Sequence, residues 1–102
     1  MIRITRHSPG CVSVEGHANS DVYGKDLVCA AVSALVLTLA ANVEKMKGAE
    51  ILLEPGFSRI QCRPDAVGIA VFDCICKGFE MLAGKYPEYV CYLESTRLSQ
   101  PV

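Results

Sequence analysis

Two side chains able to do nucleophilic chemistry, His17 and Cys29, stand twelve positions apart in a chain of 102 residues. Cys29 comes three residues after Asp26, at the start of an apolar run from Leu27 to Ala41 that only Ser33 and Thr38 interrupt. With Asp26 as N-cap, Leu27, Val28 and Cys29 are the first three helical positions. A thiol in that first turn faces unpaired backbone N–H groups and the positive end of the helix dipole, which favour the thiolate, the nucleophilic form. His17 follows a strand ending at Glu15-Gly16, and the connection after it leads into the Cys29 helix. A strand end and the next helix start are usually neighbours in space. An imidazole there can take the thiol proton and later hand it to a departing amine. Gly16 lets backbone approach closely beside it. Asp26 has two compatible roles, capping the helix and fixing the imidazole tautomer. Ser33, one turn beyond Cys29 on the same face, is placed to hydrogen-bond within the site or back to the Cys29 carbonyl. The residues alone also allow plainer readings: Cys29 as a small apolar side chain, His17 as a structural or surface histidine, Asp26 as a cap and nothing more.

The remaining thiols give less chemistry. Six cysteines in 102 residues raise the question of a disulfide framework. Met1–His7 hold no apolar stretch of signal-peptide length, so the expectation is a reducing, cytoplasmic setting with free thiols. Cys74 and Cys76 are two apart on a helix, on nearly opposite sides, and cannot grip one metal together. No CxxC pair occurs, nor a phosphate loop or dinucleotide fingerprint, so no metal and no cofactor are expected. Cys11, Cys62 and Cys91 fall in or beside strands as filler, and His7 lies near a turn with no helix-start thiol beside it.

Composition narrows the class. Hydrophobic residues make up 51% and charged residues 21%, which excludes intrinsic disorder. Ten basic against eleven acidic side chains leave a net charge of −1, without the bulk field of a nucleic-acid or anionic-membrane binder. The low aromatic content, 7% with no Trp, disfavours stacking platforms for single-stranded nucleic acid. The apolar run is also short of the roughly 20 residues that span a membrane.

Elements must hold these residues in place. Ile2 and Ile4, then Val12 and Val14, alternate with polar residues around Ser8-Pro9-Gly10, the pattern of a hairpin over residues 1–17. The polar connection 18–25 leads into a helix from Leu27 that runs on to Gly48 as its stop. Apolar on nearly every face, that helix needs cover all round: a sheet on one side, and a second helix or partner subunit on the other. Glu50–Glu54, Pro55-Gly56 and Phe57–Arg63 read as a second hairpin. Pro64-Asp65 start a helix over Ala66–Ala83, with Val67, Ala70, Val71, Cys74, Ile75, Phe79 and Leu82 near one face and Gly84 as stop. Tyr89–Leu93 read as a last strand. The order ββαββαβ predicts one α+β domain over residues 1–102, two helices packed on an antiparallel or mixed sheet.

Gly16-His17-Ala18, seven intervening positions that include Gly24, then Asp26-Leu27-Val28-Cys29-Ala30-Ala31-Val32-Ser33 resemble the signature of the bacterial ribosomal-processing cysteine protease family, Prp. The likeness extends to the element order, the Pro-Gly hairpin and the closing Tyr86-Pro87-Glu88-Tyr89-Val90 segment. Leu27 departs mildly from the isoleucine more usual there. The resemblance implies a small cytoplasmic homodimer of Bacillota or their relatives with a Cys–His dyad. Such enzymes remove a short N-terminal extension from large-subunit ribosomal protein twenty-seven, cutting after a hydrophobic sequence that ends in phenylalanine. Carried over, Cys29 is the nucleophile and His17 the base, with Asp26 and Ser33 supporting. Gly16, Ala18 and Gly24 belong to the substrate loop, whose Ala18–Lys25 stretch is mobile over the cleft. The N–H groups at the helix N-terminus are the expected oxyanion donors. Two other readings stand beside this one: a non-catalytic ribosome-associated binding module, and a thiol hydrolase or transferase acting on a small substrate.

Overall fold

A computed structural model describes residues 1–16 and 23–95, with the backbone alone for 23–26. Strands β1 (Ile2–Ser8) and β2 (Cys11–Glu15) form the first hairpin. Helix α1 (Tyr23–Val43) follows, then a second hairpin of β3 (Glu50–Glu54) and β4 (Phe57–Gln61). Helix α2 (Ala66–Lys85) and strand β5 (Val90–Glu94) complete the ββαββαβ order expected. The sheet is mixed, ordered β3-β4-β2-β1-β5. Its hairpins pair antiparallel, β4 lies antiparallel to β2, and β5 runs parallel to β1 with Ile4 beside Tyr92.

Both helices lie on one face of the sheet. Strand alternation sends Ile2, Ile4, Val12, Ile60 and Val90 into a shared core with Val28, Val32, Val36, Leu39 and Val43 of α1 and Phe72, Ile75, Cys76 and Phe79 of α2. The helices approach closely at Gly78, where an added Cβ would come to 3.0 Å of the Leu35 side chain.

Three boundaries differ from the sequence reading. Helix α1 begins at Tyr23, so Asp26 is its fourth residue and not its N-cap. An acidic side chain is favoured both at the cap and in the first turn, and spacing alone does not separate the two. Gly24 and Lys25 accordingly belong to the helix and not to the connection before it. The helix ends at Val43, where its buried stripe ends, and residues 44–48 form turns. Helix α2 continues through Gly84 to Lys85. Its start is as expected, with the Asp65 carboxylate accepting from the Gly68 N–H at 2.9 Å.

The buried face of α2 is also rotated from expectation. Gly68, Phe72, Ile75, Cys76 and Phe79 are buried, while Val67 and Cys74 are exposed. The two phenylalanines carry the largest apolar areas, and the helix turns to bury them in preference to the smaller residues. On α1 the face away from the sheet is open: Leu27 and Leu37 are 57% and 58% exposed. The all-round cover expected for this helix is therefore not supplied by the described residues of one copy.

A charged group is buried at the β1–α2 contact. Arg6, 7% exposed, reaches Asp73 at 2.7 Å and donates to the Pro9 carbonyl at 2.9 Å. Burial works against the guanidinium charge, but the hydrogen bond to Asp73 and the acidic groups around it, Cys76, Asp73 and Tyr92, outweigh it and hold the proton more firmly than usual. Asp73 itself is largely exposed, so the pair is half screened. Asp73→Ala is expected to cost about 1–2 kcal/mol in urea unfolding, with part recovered in the double variant carrying Arg6→Met.

Beside it, burial pushes the Cys76 thiol up from its ordinary value, and burial together with hydrogen bonds to Cys76 and Glu94 pushes the Tyr92 phenol up. The folded state thus keeps protons that the unfolded chain gives up. Their stabilisation is complete below about pH 9 and is lost as pH rises through the folded values. Urea titrations should show stability falling as pH rises above about 9, and Cys76→Ala should shallow that fall.

Candidate active site

Because α1 lies over the middle of the sheet, a groove remains between it and the β3–β4 hairpin. The groove encloses about 430 Å³, within the range of ligand clefts. Cys29, Ser33 and Leu37 line one wall; Leu53, Pro55 and Phe57 line the other; Ile2, Val14 and Gly16 are also among the lining residues. Three residues singled out from sequence therefore share one cleft: Cys29, Ser33 and Gly16. The thiol is half-buried and packs against the edge of the core. Val28 and Val32 on either side of it are buried, and that seating holds the Cys29 turn against the sheet.

Gly16 shapes the floor. Its φ of +98° lies in the region that favours glycine, and its N–H donates to the Gly56 carbonyl at 3.0 Å. A Cβ there would come within 2.2 Å of the Met1 carbonyl oxygen. The chain thus leaves β2 beside the groove that holds Cys29.

His17 and Ala18 lie outside the described residues, as do the side chain of Asp26 and the 18–22 part of the connection. The helix N-terminus does not meet the thiol as expected. Cys29 is the seventh residue of α1, whereas the unpaired N–H groups of a helix belong to its first four residues, here 23–26. Oxyanion donation from that terminus would have to act from a turn away. Ser33 is exposed on the groove wall and makes no hydrogen bond to another described residue; the hydroxyl-to-carbonyl bond expected of it is made further on, by Thr38 to Ala34.

The hairpin wall was not singled out from sequence. Its signal is the unbroken apolar Ile51-Leu52-Leu53, which puts apolar side chains on both faces of a strand where alternation would hide one. All six cysteines are free thiols, and Cys62 and Cys76 are buried in the core. Burial and the Asp65 charge push the Cys62 thiol up as well. No group of three or more metal-binding side chains occurs among the described residues, and no helix among them is long and apolar enough to cross a membrane.

Fold and groove define a two-layer α+β domain with a thiol on the wall of a peptide-sized cleft. Residues 1–91 match the family model described as cysteine protease Prp, and the chain belongs to that family of cysteine proteases. The structure of SMU.848 from Streptococcus mutans is 27% identical, with a TM-score of 0.73 over 91% of this chain and 90% of that one. Two structures of the ribosomal processing protease Prp from S. aureus share the fold. The one with a covalently linked product peptide is 18% identical, with a TM-score of 0.74 over 92% of this chain and 97% of that one. The one with a substrate peptide is 17% identical, with a TM-score of 0.75 over the same shares. Among curated proteins none matches the chain.

Proposed function

We propose that this chain is a cytoplasmic cysteine endopeptidase that removes the N-terminal extension of large-subunit ribosomal protein twenty-seven. The observation that carries the reading is the half-buried Cys29 thiol on the wall of the 430 Å³ groove, in a chain of the Prp family. Residues 1–102 act as one catalytic domain that works without a metal or cofactor and binds neither nucleic acid nor membrane.

Cys29 is the nucleophile and His17 its base. The Cys29 sulfur forms a bond to the scissile carbonyl carbon while His17 takes the thiol proton. The carbon–nitrogen bond then breaks, and His17 passes that proton to the amine of the mature protein. A thioester to the extension peptide remains. Water adds to it with His17 as base, the carbon–sulfur bond breaks, the extension leaves as a carboxylic acid and the thiol is restored. Asp26 and Ser33 orient the site, and Gly16 and Ala18, on either side of the base, contact the substrate. The open outer face of α1, with Leu27 and Leu37, supports a homodimer.

Incubation with the extended precursor, read by mass spectrometry, tests the reading. A new product lacking the extension is expected. A precursor left intact by the parent protein would favour a ribosome-associated binding module.

A further inference from the structure

Strand β3 closes one side of the sheet, and no described strand pairs with its outer edge. All five of its residues are exposed, with Ile51, Leu52 and Leu53 at 37%, 43% and 46%. Edge strands are normally blunted by lysine, proline or a bulge. Here the register to β4 runs unbroken from Glu50 to Glu54, and the three central residues are apolar. The catalytic groove reaches the strand at Leu53 and Glu54, and a second hollow of about 160 Å³ lies along Glu50, Ile51 and Leu52.

The direction of its backbone groups follows from the hairpin. A two-residue connection, Pro55-Gly56, makes Glu54 and Phe57 a mutually hydrogen-bonded pair. Alternation then turns the N–H and C=O groups of Leu53 and Ile51 outward, away from β4. The side chains of the same two residues share the sheet face of Ser58 and Ile60, the face that bears the helices and the groove.

Charge decides what fits. A second copy pairing antiparallel about Leu52 would set Glu50 against the Glu54 position, twice, and like charges directly opposite are destabilising. Arg59 sits opposite Leu52 on the inner neighbour and on the same sheet face as Glu50 and Glu54, yet makes no ion pair with either exposed carboxylate. We propose that the outer edge of β3 docks an extended segment of the polypeptide substrate, with apolar residues opposite Ile51 and Leu53 and basic residues opposite Glu50 and Glu54. This rests on the peptidase reading above and extends it to recognition outside the scissile bond.

Fluorescence anisotropy with the full chain carrying Cys29→Ala, which cannot cut the probe, tests it. The probe is a labelled decapeptide with a lysine-isoleucine-threonine-valine-lysine core; a second probe replaces both lysines by glutamate. The lysine probe is expected to bind at least about tenfold more tightly, with the preference reversed by Glu50→Lys with Glu54→Lys. N-methylation of the core isoleucine or valine, whose amides face β3, should cost about tenfold, and of the threonine, whose amide points away, less than about twofold. Ile51→Pro should also cost about tenfold, since it removes an outward N–H and spares the bonds to β4, whereas Ile51→Val binds like the parent. Equal binding of both probes, or equal loss on methylating threonine and isoleucine, overturns the docking proposal. So does a parent dimer that Ile51→Pro converts to monomer while no probe binds. Precursor cleavage by the parent, assayed separately, shows whether the peptidase reading stands when docking fails.

Discussion

Cys29→Ala is expected to reduce cleavage of the extended precursor by about ten-thousand-fold or more. Loss of the sulfur removes the covalent intermediate, and no other described thiol lines the groove. His17→Ala should fall almost as far, because a thiol without a base must lose its proton to solvent and the amine must leave without an acid. The two side chains act as a unit, so the double variant should be no slower than the worse single one. Initial rates by mass spectrometry, at equal folded protein, give all three values. Equal cleavage by the parent and Cys29→Ala would remove Cys29 from the mechanism. A pH profile for His17→Ala adds a separate readout: its rate should climb with pH as hydroxide replaces the missing base.

Gly16→Ala is expected to cost about 3 kcal/mol and most of the activity. Two penalties add. A methyl group at φ +98° is strained wherever it stands, and this one would meet the Met1 carbonyl oxygen at 2.2 Å. Relief requires the start of β1 to move away from β2, or the backbone of Gly16 to rotate. The first loosens Ile2, which lines the groove, and the second redirects the chain at His17. At roughly 4–8 °C per kcal/mol, thermal unfolding should fall by about 12–24 °C. If Gly16→Ala melts like the parent and cleaves at the parental rate, the close approach at Met1 does not govern the site.

Local signals set the elements. Alternation around Ser8-Pro9-Gly10 specified the first hairpin, and the Pro55-Gly56 turn pair between two short runs specified the second, because a turn pair between two strand-length runs has few other solutions. Helix α2 starts after Pro64-Asp65 as read, with the Asp65 carboxylate accepting from the Gly68 N–H, one of the unpaired donors of the first turn. Asp26 carried the same signal and did not cap, because the chain before it continued the helix back to Tyr23. The twelve-residue spacing of His17 and Cys29, together with the residues flanking each, carried the family resemblance from which the proposed nucleophile and base were drawn.

Long-range packing decided the rest. The helical spacing of apolar residues in α2 does not rank Phe72 above Val67 for burial; packing on the sheet does, by favouring the face whose larger side chains fill the space. The parallel placement of β5 beside β1 depends on which edge was left free once β4 had paired with β2. The groove follows from the same choice. With β3 at the far edge and α1 over the centre, the hairpin and the Cys29 turn face each other across a gap. Residue types and spacing determined which chemistry is proposed for this protein, because a thiol and an imidazole bring their reactivity with them. The groove on which the Cys29 thiol stands was decided by tertiary structure, because a cleft exists only between elements that the sequence keeps far apart.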